Sequence, residues 1–136
     1  LSDMDLHSSC NVAIGENVEE MIDALRPGVA FSMGAMGSEK TNFYNDAFKR
    51  AGYTDDALAI QRLWKDGKRQ EAADRVPDEM VTEFGAIGTA DMVRKRFETY
   101  RDAGINALTL RMDNSLPIDQ RIANLEQIMD LLPDRD

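Results

Sequence analysis

Cysteine and histidine each occur once in the 136 residues, as Cys10 and His7. A lone cysteine excludes an intrachain disulfide, and a single histidine beside it leaves no ligand set for a zinc-type cluster. Basic charge is also scarce: 16 Lys and Arg stand against 25 Asp and Glu, a formal charge of −9. That balance argues against a nucleic-acid surface and against an anionic membrane surface. No stretch approaches the ~20 apolar residues of a membrane span, and the N-terminus has no signal-peptide pattern. Together with the lone thiol this predicts a cytoplasmic location. There is no phosphate-loop pattern, no GxGxxG, no internal repeat and no low-complexity segment. The chain starts at Leu1 rather than Met and enters a strand almost at once, which reads as a piece of something longer.

What is present is clearest between Val81 and Met112. The order there is a strand, a tight Gly88-Thr89 turn, an amphipathic helix, a stop at Gly104 and a second strand, with the strands placed at Phe84–Ile87 and Ala107–Arg111. Thr89 can cap the helix and Asp91 adds negative charge where the dipole favours it. Val93, Phe97 and Tyr100 recur at i, i+4, i+7 as the buried stripe. Burying Phe97 alone contributes about 1.5–3 kcal/mol. The second strand is apolar on both faces apart from Thr109 and Arg111, which suits a parallel sheet covered by helices.

Upstream, 6–14 reads as a strand, and Asn17 caps a helix through Val18, Met21, Ile22 and Leu25. Pro27 predicts an interruption before the apolar run 29–33. Gly34 to Ser38 reads as a loop, either a plain connection or the wall of a pocket. Residues 42–76 read as wholly helical, with caps at Asn42 and Thr54, stops at Gly52 and Gly67, and Trp64 as a core anchor beside Ile60. Past Met112, Pro117 suits the first turn of a last helix, with Ile118, Ile122, Leu125, Ile128, Met129 and Leu132 along one side and Pro133 at its end. Three strands alternating with helices fit part of an α/β barrel or an open doubly wound sheet in one domain. Three parallel strands leave two open edges, which predicts a partner: the rest of its own barrel or a second copy, as a homo-oligomer.

The chemical candidates are few. His7 reads as a satisfied polar side chain or as a catalyst; Cys10, inside an apolar strand, as an inert core residue. Gly88 and Thr89 at a helix start can hold a phosphate on free N–H groups or form an ordinary capped turn. Arg111 can face an anionic cofactor group or substrate carboxylate, or form a rim salt bridge. No residue stands out as a catalytic acid or base, and no metal ligands are assigned.

Several blocks occur in order: 31–38 (FSMGAMGS), 42–45 (NFYN), Gly52-Tyr53, Ala72-Ala73, 76–79 (VPDE), 87–89 (IGT) and 100–104 (YRDAG). This ordered set resembles the C-terminal part of the bacterial-luciferase-like oxidoreductases, nearest the deazaflavin-dependent branch that includes methylene-tetrahydromethanopterin reductase. The resemblance implies the closing part of a TIM-type eight-stranded α/β barrel, more than twice this length, with 42–76 as an all-helical insertion. It implies hydride transfer between a coenzyme F420-type deazaflavin and a small-molecule organic substrate, with an FMN-dependent monooxygenase as the alternative. It places most cofactor contacts upstream of Leu1 and leaves Gly88, Thr89 and Arg111 as the cofactor-binding candidates here. A non-catalytic acidic oligomerisation module is the reading of another class.

Overall fold

A computed structural model describes residues 4–38 and 41–132. In chain order the elements are β1 (His7–Ile14), α1 (Val18–Ala35), α2 (Phe43–Arg50), α3 (Thr54–Lys65), α4 (Arg69–Asp74), α5 (Asp78–Thr82), β2 (Ala86–Gly88), α6 (Ala90–Asp102), β3 (Ala107–Arg111) and α7 (Ile118–Met129). They form two compact units, Leu1–Met21 with Phe84–Asp136, and Ile22–Glu83. No helix among the described residues is long and apolar enough to cross a membrane.

The first unit holds a three-stranded parallel sheet, as expected for part of an α/β barrel. Its order is β2-β1-β3, so β1 is central and the strands flanking α6 do not pair with each other. In a run of consecutive barrel strands β2 would be the middle one. Here residues 7–11 of β1 pair with β3, and residues 12–14 pair with β2. Cys10, Val12, Ala86, Val93, Phe97, Ile128 and Leu131 make one buried cluster, with Leu108, Leu110 and Met112 packed on it. Hence α6 and the end of α7 cover a single face of the sheet. On β3 the Thr109 and Arg111 side is exposed. The α6 helix forms as its sequence predicts. Thr89 accepts from the Met92 amide at 3.4 Å, Val93 and Phe97 are buried, and Gly104 stops the helix at φ +85°.

The strand expected over Phe84–Ile87 starts only at Ala86, after a short helix where the Val81 stretch leads in. Pro77 ends the preceding run in an extended conformation, and Asp78 and Glu79 then favour a helix start, so 78–82 coils into α5 and buries Met80 and Val81. α7 also departs from expectation. Ile128 is 2% exposed, but Ile118, Ile122, Leu125 and Met129, at i, i+4, i+7, i+11, are 62%, 50%, 41% and 54% exposed. The helix turns Ile128 to the core and a separate apolar stripe outward. It ends at Met129; Pro133 lies outside the described residues.

In the second unit Pro27 does not interrupt α1, which runs through it. The missing amide removes one helix bond, while Ile22, Ala30 and Met33, all buried, hold the turns on either side. Asn42 caps α2 as predicted, and its amide also donates to the Met33 carbonyl at 2.7 Å. Buried Asn45 donates to the Ala57 carbonyl at 2.9 Å. The NFYN block is therefore a brace between helix ends. Thr54 opens α3 without capping it; Tyr53 holds the cap position. Gly34 and Ala35 are still helical, so the loop begins at Met36. A Cβ at Gly34 would overlap the Trp64 ring, so the glycine serves helix packing and not a pocket wall.

Candidate functional site

In parallel α/β sheets, ligands bind beyond the carboxyl ends of the strands. At that end of the first unit, the turn after β1 is tied to the turn after β2 by the Gly15 amide donating to the Gly88 carbonyl at 3.0 Å. Gly88 sits at φ +136°, and a Cβ there would lie 2.7 Å from the Met92 sulfur. The turn thus requires glycine, and it aims Thr89 to cap α6.

Beyond β1 and β3 opens a cavity of about 450 Å³. Val12, Ile14, Met112 and Ile128 give it an apolar floor, and Asn124 and Gln127, one turn apart on α7, bring side-chain amides to it. Three carboxylates also line it: Glu16, Glu20 and Asp113; no Lys, Arg or His does. Two of the three carboxylates have structural work. Glu20 accepts from the Asn17 amide at 2.7 Å while its own N–H donates to the Asn17 side chain at 3.4 Å, a reciprocal cap on α1. Asp113 accepts from the Ser115 hydroxyl at 2.6 Å and the Ser115 amide at 2.8 Å, and those bonds hold its carboxyl below the usual range. The cavity can take a flat ring with polar edges. Its carboxylates disfavour an anionic group inside it.

None of Gly88, Thr89 and Arg111 lines this cavity. Gly88 lies opposite Ile14 and Arg111 opposite Asn11. They stand on the two outer strands with β1 between, two interstrand spacings across and three residues along, roughly 14 Å apart, so they do not converge on one point. Arg111 is exposed, with no ion-pair partner among the described residues. His7 donates to or accepts from Thr109 Oγ1 at 2.6 Å through Nε2. Cys10 is 1% exposed in the core, where burial pushes its thiol pKa up; burial, and then the thiol itself, pushes the neighbouring Tyr100 to about 12. The 36–38 turn belongs to the second unit. The cavity residues Glu16, Leu116, Asn124 and Gln127 were not singled out in the sequence. The signal for the loop residues was their place after parallel strands; for the amides it was their spacing beside Ile128.

The family model described as luciferase-like monooxygenase matches residues 1–107. A Mycobacterium tuberculosis (strain ATCC 25618 / H37Rv) protein, named as a coenzyme F420-dependent oxidoreductase, is 32% identical over 108 residues. That alignment covers 79% of this chain and 31% of the relative, so the chain spans less than a third of that protein's length.

Proposed function

The chain belongs to the luciferase-like monooxygenase family, and on that premise we propose that it contributes the closing strands and helices of a deazaflavin-dependent oxidoreductase. Bound in the whole enzyme, a coenzyme F420-type deazaflavin would supply hydride transfer to or from a small organic substrate. The observation that carries the deazaflavin reading is the relative named for F420 dependence.

The residues present suit part of that task. The floor of Val12, Ile14, Met112 and Ile128 offers apolar surface to a flat ring and excludes water, and the Asn124 and Gln127 amides can pair with carbonyl and N–H groups on its edge. Gly88 and Thr89 offer the first backbone N–H groups of α6 to a phosphate, and Arg111 offers its fork to an anionic group on cofactor or substrate. This chain by itself is inactive in our reading. Its partner is the rest of its own barrel or a second copy, in an oligomer of like subunits; the exposed α7 stripe and the two sheet edges support that need. The single, buried Cys10 fits a reducing compartment, the cytoplasm.

The test is to express the complete reading frame that carries this sequence and titrate it with deazaflavin and with FMN. Micromolar deazaflavin binding and cofactor reduction or oxidation with substrate are expected. FMN binding without deazaflavin binding overturns the assignment in favour of a flavin monooxygenase, which the family's description supports. Binding of neither supports the third reading, a non-catalytic acidic oligomerisation module.

A further inference from the structure

Parallel sheets are ordinarily covered on both faces. This one carries α6 and α7 on the Cys10–Val12 side; its other side is exposed along β1 and β3, at His7, Ser9, Asn11, Thr109 and Arg111, while Ile87 of β2, opposite Ala13, is buried. The exposed β1–β3 part of that side is polar.

Its chemistry is one-sided. The chain has 25 acidic residues, yet β1, β2 and β3 contain none. Asn11 lies directly opposite Arg111 in the register, one interstrand spacing of about 4.8 Å away. His7 is fixed by its 2.6 Å bond to Thr109, and Ser9 lies opposite Thr109. A guanidinium with no ion pair among the described residues is thus flanked by an amide, two hydroxyls and an imidazole, with no carboxylate on the strands to answer it. We propose that this exposed β1–β3 face is the wall of a binding chamber for an oxyanion group, carboxylate or phosphoryl, gripped by the Arg111 fork with the Asn11 amide beside it, and with His7, held by Thr109, next along the wall.

This deepens the reading of Arg111 given under the proposed function and rests on it, but it does not depend on which cofactor the whole enzyme uses. It also separates two tasks: the acid-lined cavity at the strand ends takes a neutral ring, and the acid-free face takes the anion.

The product of the complete reading frame that carries this sequence is labelled at histidine, and the ring C–H resonances of His7 are assigned by their loss in His7→Gln. It is titrated at constant pH with pyrophosphate in one arm and succinate in the other, each matched by sodium chloride of equal ionic strength. A saturable shift of the His7 resonances, absent in the chloride control and weakened at least tenfold in Arg111→Gln, is expected. The arm that saturates at lower concentration identifies phosphoryl or carboxylate. Arg94→Gln, on the surface of α6, should titrate like the parent. Circular dichroism checks that each variant is folded; if Arg111→Gln does not fold, Asn11→Ala takes its place and should weaken the shift. The inference falls if neither anion shifts His7 beyond chloride, or if the folded face variant titrates like the parent. Neither result bears on the deazaflavin titration.

Discussion

The two faces of the sheet are written in the same strands yet obey different rules. On one face Cys10, Val12 and Ala86 meet Val93, Phe97 and Ile128 with almost no exposure. On the other, His7, Ser9, Asn11, Thr109 and Arg111 are exposed and hydrogen-bond to little. Residues alternate between the faces because successive side chains point to opposite sides of a strand. The covered face holds the unit together, and its residues can be read as a packing list. The bare face contributes little to folding and can be spent on recognition.

The sharpest way to break this comparison is at Phe97. It is 1% exposed and sits in the cluster that joins α6 to β1. Phe97→Ala should cost about 3–5 kcal/mol, read as a lower denaturant midpoint, because the ring's contacts vanish and the site refills only partly. A cost under about 1 kcal/mol would mean that α6 is not anchored on this face.

Those differences also set what could be read in advance. The α6 segment was legible because Thr89, the Val93–Phe97 stripe and Gly104 all point to one local answer, and tertiary packing agrees with them. Asn42 was legible for the same reason. Pro27 misled because buried neighbours outweigh one lost backbone bond. Residues 78–82 misled because their apolar members serve α5, and a short buried helix and a strand share that look. The parallel sheet followed from the strand–helix pattern, but its order could not, since it depends on which stretch of β1 each partner takes. The candidate site was legible only in part. Gly88, Thr89 and Arg111 were named one by one, but no local pattern says that they stand on opposite outer strands, or that Asn124 and Gln127 meet the end of β1.

Alkaline pH should weaken the covered face next. Burial raises the pKa of the Cys10 thiol above 9.0 and that of Tyr100 from 10.0 to about 12. Both groups are neutral when protonated, so the folded state holds these protons more tightly than the unfolded chain. Their contribution is fully present below pH 9 and is lost as pH rises from about 9 toward 12, where the unfolded chain ionises first. Unfolding midpoints across that range should fall, and Tyr100→Phe should make the fall shallower. Equal slopes in parent and variant would show that Tyr100 ionises as freely in the fold as out of it.

A smaller effect is expected at the cap. Thr89→Ala removes the acceptor for the Met92 amide and should cost about 1 kcal/mol, measured by the same denaturant titration. Thr89→Ser should restore most of it.

The smallest effect should come from the bare face. Thr109→Val deletes the hydroxyl that meets His7 Nε2 but keeps a β-branched side chain suited to a strand. An exposed hydrogen bond contributes little net free energy because water replaces it, so the stability change should stay within about 0.5 kcal/mol. The His7 ring, freed of its partner, should shift its resonances even so. That pairing of outcomes distinguishes a recognition surface from a structural one. If Thr109→Val instead lowers stability by more than about 1 kcal/mol, the His7–Thr109 bond is part of what holds β1 to β3, and the two faces are less different than their exposure makes them.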